Sequence, residues 1–319
     1  MKITVWGGAG FVGSHVGDAL SRAGHEVTIA DIKPSDWLRS DQHGIQADIL
    51  DREAAFESLQ DAEVVFNFSG VSDIADADRN PSHTASVNIL GNLNLLEGCV
   101  EKGVRRYIFA SSLYVYSVYG GFYRCSKQAC ENYVEEFHRQ HDLEFTILRF
   151  GSLYGPRSGR NNAIHRFVES GLRDNRIDYW GQPDALRDYI HVYDAARVCR
   201  EILESEFANE RLTVSGSQTM EVAEVLKMIG EVLGKELTLT FHSESDSGHY
   251  EKTPYSFTPR LARKYTPRTQ IDLGQGLLEM IEWLDASAVQ KNQKKRVVAS
   301  LTSRSRSLDQ YHRHDVDDQ

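Results

Sequence analysis

The sequence predicts an α/β protein built on a doubly wound parallel sheet, followed by a smaller α/β unit. Three observations carry that prediction. A short β-rich run, Lys2 to Trp6, passes directly into Gly7-Gly8-Ala9-Gly10-Phe11-Val12-Gly13, after which Phe11, Val12, Val16 and Leu20 recur at helical spacing. A second β-rich run, Glu26 to Ala30, ends on Asp31. From there strand-like and helix-like segments alternate, as parallel strands joined by crossover helices require. With 319 residues, 40% of them hydrophobic, the chain can fill one or two domains.

Taken in order, strands are predicted near Gly44 to Ala47, Ala62 to Asn67, Arg105 to Ala110 and Glu144 to Arg149. Helices are predicted over Arg52 to Leu59, Pro81 to Lys102 and Arg124 to Gln140. The polar stretch Arg157 to Asn162 reads as the entrance to a second unit. Beyond it, Ala163 to Arg173, Val192 to Leu203, Val222 to Leu233 and Gly276 to Ala286 read as helices, with short strands near Ile177 to Tyr179, Leu212 to Val214 and Leu237 to Phe241. The expected division is therefore residues 1–156, then mainly 157–288 with interleaving allowed, then 289–319. That last segment mixes Lys291, Lys294, Lys295 and Arg296 with serines and lacks a long apolar face, so it reads as a polar tail.

The glycine turn has a chemical reading. Gly7 permits the tight turn, Gly10 lets the backbone approach a pyrophosphate, and Gly13 lets the helix pack on the strand with Phe11 and Val12 at its anion-facing end. An ordinary glycine-rich turn is the plain alternative, and Asp31 argues against it. It lies about 20 residues past the glycines, where a carboxylate accepts the ribose 2′-hydroxyl of a dinucleotide and repels a 2′-phosphate. NAD is thus favoured over NADP. Lys33, past the strand end, reads as a solvated loop charge.

A second constellation is Ser111-Ser112-Leu113-Tyr114-Val115-Tyr116 followed by Tyr123-Arg124-Cys125-Ser126-Lys127. Tyr123 and Lys127, four positions apart on a helix, share a face, and the ammonium can lower the pKa of the phenol beside it. Such a phenol can serve as a base, with Ser112 bonding the same substrate hydroxyl. On its own the Tyr-Lys spacing is more often a solvated helix face, so its context decides.

Composition bounds the rest. A formal charge of -10 argues against nucleic-acid binding as the main business. Cys99, Cys125, Cys130 and Cys199 show neither metal-ligand spacing nor a disulfide framework, so reduced thiols and no metal are expected. Met1 leads straight into the first strand and no long apolar run follows, so a soluble cytoplasmic protein away from membranes is expected.

In sequence order, these motifs with Asp48-Ile49, Asn67-Phe68-Ser69-Gly70, Asn88, Gly155-Pro156 and Arg187-Asp188-Tyr189-Ile190-His191-Val192 resemble the extended short-chain dehydrogenases. More narrowly, residues 1 to 285 resemble the NAD-dependent epimerase/dehydratase family acting on nucleotide sugars, with UDP-glucose 4-epimerase as the type. The resemblance implies a Rossmann domain with tightly held NAD and a smaller C-terminal domain closing over a nucleoside-diphosphate sugar. It implies cofactor contacts from Gly7, Gly10, Phe11, Val12, Gly13, Asp31, Ile32, Asp48, Ile49, Phe68, Ser69, Gly70, Asn88, Tyr123 and Lys127. It implies catalytic roles for Ser112, Tyr123 and Lys127, and substrate contacts from Ser112, Tyr114, Ser152, Asn161 and Arg187. Relatives also pair two helices into a four-helix bundle. That implies a homodimer here through Pro81 to Lys102 and Arg124 to Gln140, whose Val87, Leu90, Leu93, Leu95, Leu96, Val100, Ala129, Tyr133, Val134 and Phe137 offer apolar surface.

Within that resemblance 4-epimerisation through a keto sugar is the first expectation; a sugar-nucleotide dehydrogenase, 4-ketoreductase or dehydratase and a non-catalytic NAD-binding protein are the alternatives. Arg187 corresponds to an arginine that clamps the diphosphate, or else makes an ion pair with Asp184 or Asp188. His191 and Asp194 read as capping the helix from Val192 rather than as a proton relay. Asn161, Asn162 and Arg166 either contact the sugar nucleotide or form a cap and a solvated face. Tyr114 stands where dehydratases and decarboxylases resemble one another in carrying an acid. Three departures reshape the substrate pocket: a short run from Tyr116 to Tyr123, Ser152 in place of a common Asn, and no arginine around Ser247 to Tyr250.

Overall fold

A computed structural model describes residues 1–242, 263–266 and 269–286. Its centre is an eight-stranded sheet in which every neighbouring pair is parallel. The strands are β1 (Lys2–Trp6), β2 (Glu26–Asp31), β3 (Gln42–Gln46), β4 (Val64–Asn67), β5 (Arg106–Ser112), β6 (Glu144–Phe150), β10 (Glu210–Val214) and β13 (Arg263–Tyr265). Their spatial order is β13-β10-β6-β5-β4-β1-β2-β3. The inner strands are covered on both faces and so read as nearly unbroken apolar runs, whereas β3, at the edge, is polar and mostly exposed.

Strand alternation divides the core into two layers. Ile3 and Val5 face α1 (Phe11–Arg22) and α8 (Val192–Glu201), packing with Val16, Leu20 and Val198. Trp6 faces the other side, where α2 (Arg52–Glu57), α5 (Gly91–Lys102) and α6 (Gly121–His141) bring Phe56, Leu95, Leu96, Cys130 and Val134. A third core lies among α7 (Ala163–Asp174), α9 (Val222–Leu233) and α10 (273–286), with Phe167, Val225, Leu226, Ile229, Leu277 and Met280. It is framed by β7 (Ser152–Tyr154), β9 (Leu186–His191) and β11 (Thr219–Glu221) as one small sheet and by β8 (Arg176–Trp180) paired with β12 (Thr238–His242).

The structure departs from the sequence reading at several elements. The single helix predicted over Pro81 to Lys102 is α4 (Pro81–Ala85), a π-turn over Ser86–Leu90, and α5. The π-turn surrounds Asn88, whose side chain and carbonyl are both engaged outside the helix. A short α3 (Ile74–Arg79), capped by Asp73, and the strands β7, β9, β11 and β13 were not anticipated; all five elements are at most six residues of polar or mixed sequence, below the length at which periodicity shows. In addition, α8, β10 and β13 lie beyond residue 157 yet join the main sheet, since β10 pairs with β6 and with β13 and α8 packs on α1.

The apolar surface expected to pair two chains is largely used within one. Leu95, Leu96 and Val134 are buried, and Val87, Val100 and Phe137 pack against the same core. Leu90 and Tyr133 stay exposed.

A chain of rings joins α1 to the C-terminal part: His15 to Tyr193 at 5.1 Å, Tyr193 to His191 at 4.9 Å, and His191 to Tyr154 at 5.1 Å between centroids. Burial pushes both histidines down to about 4, and the His15 Nε2–H donates to the Pro156 carbonyl at 2.9 Å. Both therefore bind protons more readily in the unfolded chain. Stability should hold above pH 6.5 and fall as the pH drops toward about 4, by up to about 3 kcal/mol per histidine. Urea unfolding at intervals across that window checks this; a flat profile would contradict it.

Candidate active site

The site forms outside the carboxyl ends of β1, β2, β4 and β5, where a doubly wound sheet opens a crevice. Gly7 leaves β1 with φ +73°, and its N–H donates to the Ala30 carbonyl at 2.9 Å. A Cβ on Gly7 would stand 2.6 Å from the Phe68 carbonyl carbon and the Ser69 nitrogen, and one on Gly13 would stand 2.2 Å from the Gly7 oxygen. Both glycines are thus required by backbone contact. Gly10 is the N-cap of α1 with no side chain to cover the helix end, leaving the first N–H groups of Phe11 and Val12 facing outward. Such an end binds phosphate.

Asp31 closes β2 beside this turn. Its carboxylate accepts the Ala9 N–H at 3.1 Å and the Lys33 N–H at 3.2 Å, which holds it at the rim. Ile32 next to it is exposed. After β3, Asp48 bonds the Leu50 N–H and Ile49 is buried against Gly91. At the end of β4, the Asn67 amide bonds Asn92, the Tyr107 hydroxyl and the Ser69 N–H, fixing the loop Phe68-Ser69-Gly70. The Ser69 hydroxyl is buried without a partner among the described residues. An unmatched hydroxyl beside a cradle that any Cβ would fill suits a dinucleotide.

Asn88 is placed differently from the other expected cofactor contacts. Its Oδ1 accepts the Val71 N–H at 2.7 Å while its Nδ2 donates to the Val71 carbonyl at 3.0 Å and the Ser126 hydroxyl at 2.8 Å. The Cys130 thiol donates to its carbonyl at 3.0 Å. The side chain ties the β4 loop to α6.

Ser112 ends β5 and Tyr114 follows in a 3₁₀ turn, Leu113–Tyr116. α6 starts at Gly121, earlier than predicted, with Gly120 at φ +91° before it and the Phe122 N–H held by Asp78 at 2.9 Å. Tyr123 and Lys127 therefore lie on one helix face, as their spacing predicts. The Lys127 ammonium is buried 5.9 Å from the Tyr123 ring centroid and 4.7 Å over Phe109, and it donates to the Ala110 carbonyl at 2.7 Å. Burial lowers its pKa, opposed by Cys130 and the Glu131 carboxylate. The Tyr114 ring meets Tyr123 edge-on at 6.1 Å. Serine, phenol and ammonium are thus gathered at one strand end, an arrangement that can take a proton from a bound hydroxyl.

The remaining candidates are dispersed. Ser152 starts β7 opposite Tyr189, and Arg187 is buried on neighbouring β9, donating to the Leu186 carbonyl at 2.9 Å. Asn161 is exposed in the turn before α7, whereas Asn162 caps α7 by accepting the His165 N–H at 3.2 Å. Arg166 is exposed and donates to the Arg160 carbonyl. His191 caps α8, but Asp194 bonds Arg197 and the Ile271 N–H instead of its own helix end. Ser247 to Tyr250 lie outside the described residues. Sequence reasoning missed Asp78, Glu131 and Arg149, whose partners come from distant segments and leave no local signal.

The profile of the NAD dependent epimerase/dehydratase family matches residues 3–214. A putative UDP-glucose 4-epimerase of Methanocaldococcus jannaschii is 24% identical over 305 residues, 88% of this chain and 98% of that protein. A UDP-N-acetyl-alpha-D-glucosaminuronate decarboxylase of Bacillus cytotoxicus is 25% identical over 320 residues, 88% of this chain and 97% of that one. Among solved structures, Thermotoga maritima UDP-glucose 4-epimerase with UDP-glucose matches at TM-score 0.80 and 27% identity, covering 90% of this chain and 100% of that chain. With two thirds of its length matched by the profile and the same fold as that epimerase, the chain belongs to the NAD-dependent epimerase/dehydratase family, whose cofactor is NAD.

Proposed function

We propose that the protein is an NAD-dependent epimerase that inverts C4 of a nucleoside-diphosphate sugar through a transient keto sugar. The observation that carries this reading is Ser112, Tyr123 and Lys127 gathered at the end of β5, beside a glycine turn with Asp31 at its rim. Tyr123 takes the proton of the sugar hydroxyl, Ser112 holds that hydroxyl, and Lys127 steadies the phenolate and the nicotinamide ribose. Bound NAD supplies the hydride acceptor and donor. A keto sugar free to turn in the pocket would present either face of C4 to the cofactor.

In this reading Gly7, Gly10, Phe11, Val12 and Gly13 hold the pyrophosphate, Asp31 and Ile32 the adenosine, and Asp48, Ile49, Phe68, Ser69 and Gly70 line the same cleft. Asn88 acts by fixing the β4 loop. Arg187 clamps the diphosphate, and Ser152 and Asn161 reach the sugar. Tyr114 forms a wall beside Tyr123; its phenol offers no carboxylate, which sets this site against elimination or decarboxylation. The test is to identify the bound nucleotide by mass spectrometry and screen sugar nucleotides with and without NAD. Interconversion of C4 epimers without net NADH is expected; stoichiometric NADH would make it a dehydrogenase.

Asp31 supports a preference for NAD over NADP, through like-charge repulsion of a 2′-phosphate. Asp31→Ala should weaken NAD binding by about 1 to 3 kcal/mol, and equal dissociation constants of the wild-type protein for NAD and NADP would defeat the assignment. We further propose a homodimer through Pro81 to Lys102 and Arg124 to Gln140, where Leu90 and Tyr133 stay exposed. Light scattering at micromolar concentration should give twice the chain mass; a monomer mass would remove the claim.

A further inference from the structure

Tyr123 and Lys127 occupy one stripe of α6, and the stripe beside it carries Arg124, Gln128 and Glu131. All three are bonded to the segment that holds Ser112. Arg124 donates to the Ser117 carbonyl at 3.1 Å, Gln128 donates to the Val115 carbonyl at 2.9 Å, and the Glu131 carboxylate accepts the Ser111 hydroxyl at 2.6 Å. Glu131 is in turn gripped by Arg149 of β6, Nε to Oε1 at 2.9 Å and Nη2 to Oε2 at 2.6 Å, with side-chain exposures of 2% and 1%. The free Nη1 of that guanidinium donates to the Tyr116 hydroxyl, and the group lies 4.6 Å over the Tyr116 ring centroid.

A buried ion pair is a poor way to gain stability, because desolvation offsets most of the attraction. Its advantage is directional. The two-toothed grip fixes the plane of the Glu131 carboxylate, and that carboxylate fixes Ser111. Successive strand side chains point to opposite faces, so holding Ser111 on one face sets Ser112 on the other.

We propose that Glu131, held by Arg149, is a positioning residue: it locks the Ser111 to Ser117 segment onto α6 so that Ser112 and Tyr123 meet the same substrate hydroxyl. This rests on the reading of Ser112 and Tyr123 given above. None of the side chains in this network (Ser111, Tyr116, Arg124, Gln128, Glu131 and Arg149) is assigned to the reacting atoms. A misplacement of about 1 Å can cost about a hundredfold in rate, so small relaxations should appear in kcat.

The experiment measures kcat, KM and NAD affinity for Glu131→Gln and Ser111→Ala, with thermal midpoints alongside. Glu131→Gln keeps shape and an acceptor for Ser111 but loses the ion pair; kcat should fall about tenfold while KM and the NAD dissociation constant stay within about twofold. Ser111→Ala, which removes one hydrogen bond, should lower kcat severalfold with the same split. Wild-type kcat in both variants, or a loss confined to the thermal midpoint, would reduce the pair to a brace and overturn the proposal. Should Glu131→Gln fail to fold, Ser111→Ala decides alone. Inactive Tyr123→Phe beside fully active Ser111 and Glu131 variants would discard this inference and keep the parent reading; active Tyr123→Phe would discard the parent reading itself.

Discussion

Tyr123→Phe should abolish turnover while NAD and sugar-nucleotide binding stay near wild type. The ring keeps its edge contact with Tyr114 and its place over the first turn of α6, so packing is preserved. What disappears is the hydroxyl that exchanges a proton with the substrate, and a positioned acid/base is worth about 10² to 10⁴ in rate. Lys127→Met should cost affinity as well as rate, since the buried ammonium is assigned to the nicotinamide ribose as well as the phenol. Ser112→Ala should be mildest, because the base survives. Steady-state rates with the true substrate and calorimetric NAD titrations give this order. A Ser112 variant slower than the Tyr123 variant would route the proton through the serine, and near-wild-type turnover by Tyr123→Phe would dismantle the assignment.

The second large effect is expected at Gly13. An alanine methyl there would lie 2.2 Å from the Gly7 oxygen and 2.8 Å from both the Gly7 carbonyl carbon and the Gly8 Cα. All three atoms are backbone, and Gly7 is fixed by its own left-handed φ and its bond to Ala30. No side chain can swing aside, so α1 must withdraw from β1 and carry its N-terminal N–H groups with it. Overpacking costs about 1 to 3 kcal/mol, and here it falls on the groups assigned to the pyrophosphate. NAD binding should weaken by about 3 kcal/mol, roughly a hundredfold. Gly159→Ala is the control, because a Cβ there meets nothing within 4 Å; its effect should stay within about 0.5 kcal/mol. If Gly13→Ala titrates like wild type, the turn does not hold the cofactor.

Much of the main sheet was legible because burial on both faces writes itself as short apolar runs between polar punctuation, as at Val64 to Asn67 and Arg106 to Ala110. The glycine turn, Asp31 and the Tyr123 and Lys127 pair were legible for a related reason: their geometry depends on neighbours a few positions away. The π-turn at Asn88 was not, because it answers to Val71, Ser126 and Cys130, none of them local. Nor was the grip of Arg149 on Glu131, which joins a strand to a helix of different segments. The apolar helix faces were read as surplus surface since their pattern carries no record of how much their own sheet would cover; Leu95 and Leu96 turned out to be consumed at home.

The interleaving of α8 and β10 with the main sheet bears on how the molecule is made. A chain released after residue 156 would have β1 through β6 but would leave β6 without its β10 neighbour and α1 without α8, exposing Val16 and Leu20 on one side and an unpaired strand edge on the other. Such an edge invites pairing with other chains. The nucleotide-binding half is therefore not a module that can be cut out at its apparent boundary. Its last strand, β13, is made only at Arg263–Tyr265, so the sheet closes through contacts distant in sequence, which slows folding, and the interval before residue 265 emerges is the period in which the nascent protein most needs protection from aggregation.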